Sequence, residues 1–248
     1  MTKKANKPIH WFGRALRSAG TRIARRFGST ETWIDIGAHH GESSLPNAKN
    51  NPGLTVYAVE PNLRAASKLV GRLANYVVLP LAIAEKDGSA DFYVSAYDHA
   101  SSLLPFNEEG LRTWSGDDLK IDSVVTVPTI RLDTLMGMLE IEKVDFLKID
   151  TQGMDLAVLR SAGTRLGDIG MIRLEVWVAP VPLYSGAPSK EEVVAFLEGS
   201  GFSLVETEKQ TDGQEENLTF VRTGLAAKRA RSKRRQFVDK ESSEPARV

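Results

Sequence analysis

Residues 33–44 read WIDIGAHHGESS, an apolar run interrupted by one Asp, then two glycines four apart, two adjacent histidines and two serines. The run has the composition of a strand buried on both faces. Gly37 permits a backbone conformation that a side chain would forbid. Gly41 lets the loop come close to a ligand before a helix that starts near Glu42, so the stretch reads as strand, glycine loop, helix start.

The chain on either side continues that pattern. LTVYAVEP, YVVLPLAI, VDFLKID and MIRLEVWV are short, apolar and rich in β-branched residues. Helical stretches lie between them. Asn62 caps a helix carrying Leu63, Ala66, Leu69, Val70 and Leu73, Ser189 and Glu192 form a capping box ahead of VVAFL, and MDLAVLRSAG ends at Gly163 as a C-terminal cap. Alternating strands and helices predict an α/β protein with a doubly wound, mostly parallel sheet and helices on both faces. GSADFYVS and DSVVTVPTI read as extended segments inserted before the fourth main strand, and GFSLVETE with NLTFVR as a closing antiparallel pair.

Composition narrows the setting. The 248 residues carry no net charge and no cysteine, which excludes disulfides, zinc–thiolate sites and cysteine nucleophiles. The longest apolar run, YVVLPLAIA, is too short to span a bilayer. A reduced, cytoplasmic setting is the simplest expectation. The charge is unevenly spread. Residues 1–28 hold eight Lys/Arg and no acid, and 222–248 hold nine against three acids, which leaves 29–221 with 15 basic and 29 acidic residues, a net −14. Three parts follow: a basic amphipathic arm (1–28), one domain (29–222) and a basic, disordered tail (223–248). The arm's apolar face suits packing on the body or peripheral contact with an anionic inner membrane surface. An acidic body repels phosphates and the tails lack interleaved aromatics, so no nucleic-acid partner is expected.

In an open parallel sheet, ligands bind beyond the carboxyl ends of the strands. The DIGAHHG loop lies at one such end and Glu60, in VEP, at the next. A carboxylate is two acceptors wide, which suits the vicinal diol of a ribose. Gly37 and Gly41 are not followed by a third glycine in register, so the pyrophosphate fingerprint of dinucleotide sites is missing. A nucleoside cofactor without phosphate fits better. S-adenosyl-L-methionine is such a cofactor, with Asp35 holding the ammonium of its tail and loop amides facing its carboxylate. No metal site is expected, because His39 and His40, adjacent on a loop, point apart and no third ligand follows in a recognisable spacing.

DIGAHHGESS, VYAVEPN, LPLAIAEKDGSADFYVS, SSL, VPTIRLDTL, VDFLKIDTQGMDLAVLRSAG and IRLEV occur in one order. Together they resemble the FkbM family of S-adenosylmethionine-dependent methyltransferases, over about residues 31–222. The resemblance implies a seven-stranded Rossmann-like methyltransferase fold and O-methylation of a hydroxyl on a sugar or polyketide-type acceptor. It places Asp35, Gly37, Ala38, His39, Gly41 and Ser44 in the cofactor loop, Glu60, Pro61 and Asn62 at the ribose, Ala82 beside the adenine, Ser102 in the pocket and Asp150 facing the methyl group. Two departures stand out: His39 replaces the Asn of the family's usual G-A-N loop, and IDTQG replaces I-D-V-E-G, so Gln152 stands where a carboxylate is usual.

An alcohol is a poor nucleophile at neutral pH, so a base helps transfer. Asp150, at the tip of the fourth strand, is the first candidate, with Glu175 and His99 next. Lys148 lies on the same face as Asp150, and Trp114 and Tyr184 are candidate walls of an acceptor cleft. The competing readings are a dinucleotide oxidoreductase and a catalytically inactive methyltransferase-like module that docks through its basic termini.

Overall fold

The computed structural model describes residues 30–114 and 119–224. The proposed N-terminal arm, and all but the first two residues of the proposed tail, lie outside the described residues. Among the described residues, no helix is long and apolar enough to cross a membrane.

Seven strands form the main sheet, in the order β3(Tyr76–Leu79), β2(Leu54–Val59), β1(Glu31–Ile36), β7(Phe146–Ile149), β8(Met171–Trp177), β10(Glu215–Arg222), β9(Phe202–Gln210). The first five are mutually parallel; β10 runs antiparallel to both β8 and β9. The expected mostly parallel sheet and its closing antiparallel pair are both present. β2 is buried at all six positions, as its unbroken apolar run requires. The chain order reverses between β1 and β7, whose registers pair Asp35 with Lys148 and Ile36 with Ile149. That switch point puts the carboxyl ends of two strands distant in sequence beside each other.

The run YVVLPLAI divides. Pro80 lacks the N–H that a continuing ladder needs, and β3 stops at Leu79. The next two residues, β4(Ala82–Ile83), join a separate sheet of order β4-β6-β5 with β5(Gly88–Ser95) and β6(Ile121–Ile130). The two inserted segments thus pair with each other, antiparallel, outside the main sheet. A 3₁₀ turn, Asp98–Ala100, follows β5 and hangs over the carboxyl ends of β1 and β2.

The helices are short: α1(Leu45–Asn50), α2(Leu63–Leu69), α3(Glu108–Thr113), α4(Leu132–Met138), α5(Asp155–Ser161) and α6(Lys190–Gly199). α1 begins three residues later than the sequence suggests, because the Ser44 and Leu45 amides both turn back onto the Gly41 carbonyl. Asn62 caps α2 through Arg64 N, and the Ser189–Glu192 capping box is complete. α2 buries Ala65, Ala66 and Leu69 and leaves Leu63 and Val70 exposed, so its apolar face is narrower than expected. The largest core cluster packs α4, α5 and α6 against the sheet around Ile34, Leu147, Leu159, Leu174 and Phe220.

Candidate active site

A cleft of about 620 Å³ opens over the carboxyl ends of β1, β2 and β7. Its walls include Gly37, His39, Glu60, Pro61, Ala82, His99 and Asp150, seven positions the sequence singled out. Phe92, Asp98, Ser101, Leu103 and Met154 also line it, contributed by the inserted sheet, the turn after it and the segment ahead of α5. Nothing in their local spacing marks these five; tertiary folding alone brings them there.

Glu60 is buried at the tip of β2. Its Oε2 accepts from His39 N at 2.7 Å and its Oε1 from Asn62 N at 2.7 Å. Each oxygen keeps further acceptor capacity, so a diol in the cleft can still be held. Burial pushes this carboxyl above its usual range, with the two backbone bonds pulling the other way. Asn62 acts through its backbone here and through its side chain as the α2 cap, and it does not reach the cleft wall.

The β1 loop is internally saturated. Gly37 and Ala38 amides donate to Val59 O, His39 N to Glu60, His40 N to Glu42 Oε2 and Gly41 N to Ala38 O. The sequence expected loop amides 37–41 to face a cofactor carboxylate; in this arrangement each has a partner within the protein. A pyrophosphate would find no cradle either. Asp35 also differs from expectation. It lies behind the loop, not on the cleft wall, with Ser44 Oγ donating to its Oδ2 and Lys148 Nζ 3.3 Å from its Oδ1. Ser44 in turn meets Tyr76 OH at 2.8 Å. Ala38 and Ser44 are buried with it. A Cβ on Gly41 would meet Leu69, Tyr76 and Leu45, so that glycine serves packing rather than ligand approach. Gly37 is glycine for a sharper reason: its φ is +73° and a Cβ would stand 1.8 Å from the Asp150 carbonyl oxygen.

Lys148 ties the floor together. Its ammonium donates to Gly37 O at 2.8 Å and sits 3.3 Å from both Asp35 and Asp150. Burial pulls it toward neutrality, but the two carboxylates outweigh that and hold it charged. Asp150 reaches the cleft with its side chain 38% exposed, which makes it accessible where Asp35 is not.

A second cleft of about 420 Å³ adjoins the first, and Gln152 lines both. The Gln152 amide donates to Asp150 Oδ1 at 2.8 Å and to Glu175 Oε2 at 3.1 Å, and its Oε1 accepts from Tyr184 OH at 2.7 Å. Glu175, Tyr184, Trp177, Asp155 and Glu215 wall the second cleft. Trp114 stacks behind Trp177 at 5.8 Å and does not itself line the cleft. Burial, with Asp150, Glu215 and Asp155 nearby, raises the Glu175 carboxyl to about 9, and burial with Asp150 raises Asp155 to about 7. Ser102 stays out of both clefts. Its hydroxyl donates to Gln152 O at 2.8 Å and accepts from Leu104 N, fixing the partition instead of touching a ligand.

His39 and His40 do not point apart. Their ring centroids are 3.8 Å apart, and His99 lies 3.9 Å from His39 on another side. The positive φ of His39, +47°, folds the loop back and brings the rings together.

A parallel sheet reversing at β1/β7, a glycine loop with no phosphate cradle and an acidic β2 tip define a Rossmann-like fold of the methyltransferase type. The chain belongs to the methyltransferase FkbM domain family, which matches residues 35–204, and S-adenosylmethionine is the methyl donor that goes with it. The chain is similar to the 2-O-methyltransferase NoeI of Sinorhizobium fredii, 26% identical over 137 residues that cover 51% of this chain and 55% of that protein. It is also similar to a tRNA (guanine-N(7)-)-methyltransferase of Ruegeria pomeroyi, 30% identical over 73 residues, 29% of this chain and 30% of that protein. The chain thus spans about half, or less, of the length of these curated relatives. Among solved structures it resembles a Burkholderia thailandensis 1,6-didemethyltoxoflavin-N1-methyltransferase with S-adenosylhomocysteine bound, at 13% identity and a TM-score of 0.39, over 86% of this chain and 80% of that one.

Proposed function

We propose that this methyltransferase acts on oxygen, moving a methyl group from S-adenosylmethionine to a hydroxyl of a small-molecule or glycan acceptor. The observation that carries the reading is the meeting of two clefts at Gln152, whose amide holds Asp150 on the wall of the first. The larger cleft ends in the buried Glu60 carboxylate, which suits the ribose of the donor. Ala82 and Ile83 offer a flat apolar wall for a base. The smaller cleft is walled by Trp177, Tyr184 and carboxyls that can exchange hydrogen bonds with a polyhydroxylated ligand. NoeI, a 2-O-methyltransferase, supports the oxygen acceptor. The tRNA relative does not favour RNA, because residues 29–221 carry a net charge of −14.

When bound, the donor supplies a methyl group already activated on a sulfonium. The chain's residues align the acceptor oxygen in line with it and exclude water, which is worth roughly 7–11 kcal/mol in well-oriented reactions. Asp150 takes the hydroxyl proton at its carboxylate, a contribution of about 10²–10⁴-fold. Lys148 places its ammonium 3.3 Å from that carboxylate, and Gln152 fixes its orientation. Glu175 holds its own proton at neutral pH and so is a poor base there. His99, exposed against His39, serves the mouth of the cleft and not its floor.

The test is Asp150→Asn, with S-adenosylhomocysteine affinity by isothermal titration beside methyl transfer to a panel of glycans and hydroxylated natural products. Transfer is expected to fall by about 10²-fold or more with affinity changed little. Parallel losses in both would remove Asp150 as the base. Donor binding with no methyl gain on any acceptor would instead favour an inactive binding module.

A further inference from the structure

Three of the chain's four histidines gather at the mouth of the first cleft, and they do so from two segments far apart in sequence. His39 and His40 belong to the β1 loop. Asp98 and His99 belong to the 3₁₀ turn after β5. Asp98 reaches both loop histidines: its Oδ1 lies 3.2 Å from His39 Nε2 and its Oδ2 3.6 Å from His40 Nε2. His39 Nε2 is buried and makes no hydrogen bond.

We propose that His39 Nε2, His40 Nε2 and the Asp98 carboxylate form a site for a divalent transition-metal ion of the zinc class, tying the β1 loop to the 98–100 turn. Zinc–ligand bonds of about 2.0–2.1 Å in a tetrahedron put neighbouring ligand atoms about 3.3–3.4 Å apart. The Asp98 carboxylate approaches each ring at about that spacing, through Oδ1 to His39 and Oδ2 to His40, and one ligand atom from each of the three residues lies within 4.8 Å of the other two. Two imidazoles and one carboxylate are the donor types zinc takes when it keeps a fourth position open, and two imidazoles disfavour magnesium and calcium, which prefer oxygen.

The surroundings of His39 strengthen the assignment. Glu42 Oε1 lies 3.1 Å from His39 Nδ1, on the far side of the ring from Asp98. A carboxylate accepting from Nδ1–H fixes the tautomer whose lone pair sits on Nε2, toward the proposed ion. One group opposes the ion. Lys68 Nζ stands 3.4 Å from His40 Nε2 and must swing away on loading. The chain buries no cysteine to offer a competing thiolate site.

The test uses the full chain without affinity-tag histidines, stripped with chelator and titrated with Zn²⁺ calorimetrically and with Co²⁺ optically. One ion per chain is expected, with the intense visible bands of tetrahedral cobalt. His40→Ala and Asp98→Asn should each weaken binding at least tenfold, and Glu42→Gln by about tenfold through the ring it orients. Lys68→Ala should tighten it. Circular dichroism and thermal melting establish that each variant is folded. Absence of binding by the folded parent chain, or binding that the His40 and Asp98 substitutions leave unchanged, would overturn the site. Neither result bears on the methyl-transfer reading, which needs no metal.

Discussion

The side-chain amide of Gln152 donates to Asp150 Oδ1 at 2.8 Å. With its second hydrogen it reaches Glu175 Oε2 at 3.1 Å, so one neutral amide holds a carboxyl on each side of the wall between the clefts. A carboxylate at 152 would offer acceptors to both neighbours and donors to neither. Gln152→Glu is therefore expected to lower methyl transfer by roughly tenfold to a hundredfold, the scale of one hydrogen bond to a charged group. S-adenosylhomocysteine affinity should change far less. Comparison of kcat and KM with calorimetric Kd checks this, and unaltered turnover would show that Asp150 is oriented without the amide.

Glu60 makes a narrower claim on donor affinity. Both oxygens already accept backbone amides, from His39 and Asn62, and the remaining acceptor positions face the cleft. Glu60→Gln keeps the volume but puts an NH₂ against one of those amides. The expected result is a loss of S-adenosylhomocysteine affinity of about tenfold to a hundredfold, from a charged hydrogen bond worth about 1.5–3 kcal/mol. Isothermal titration reads it directly. If Kd is unmoved, the ribose is held elsewhere.

The residues that were legible in the sequence are those whose role is local. Asn62, the Ser189–Glu192 box and Gly163 cap helices through neighbours within a few positions, and each is seen in place. Strand identity followed from unbroken apolar runs, except where Pro80 cut YVVLPLAI into strands of two different sheets. Glu60 was readable because the tip of a parallel strand is a position, not a contact. Asp35 was not. Its carboxylate is turned inward by Lys148, whose partnership depends on the β1–β7 register and on no spacing within either segment. The same holds for His39 and His40: a positive φ at His39 and a turn contributed from after β5 decide where those rings lie.

The buried acids predict a pH signature. An isolated Glu carboxyl titrates near 4.3, and in the fold Glu175 holds its proton up to about 9. The folded state then binds more protons than the unfolded state between those values. Stability contributed by the protonated form is fully present below about pH 4 and is lost as pH rises through about 9. Glu175→Gln keeps a neutral side chain at every pH. Thermal denaturation at pH 5.5 and 8.5 should show a smaller loss in the variant than in the parent, and a higher Tm for the variant at pH 8.5. Equal losses would place the titration on Glu215 or Asp155, which share the cleft.

Gly37 and Gly71 separate two costs that are usually confounded. Both have positive φ, +73° and +77°. A Cβ on Gly71 would meet nothing within 4 Å, whereas one on Gly37 would overlap the Asp150 carbonyl at 1.8 Å. Gly71→Ala thus carries only the strain of a left-handed residue, about 1–2 kcal/mol. Gly37→Ala carries that strain and must also push β1 from β7, where the Asp150 amide donates to Ile36 O at 2.9 Å. Urea unfolding should show Gly37→Ala less stable than Gly71→Ala by at least about 2 kcal/mol, the scale of overpacking in a filled interior. Because the displaced carbonyl belongs to Asp150, folded Gly37→Ala protein should also lose transfer activity while Gly71→Ala keeps it. Similar unfolding midpoints for the two variants would mean that the β1 loop yields without moving β7, and that the close approach at Gly37 does not hold the cleft floor in place.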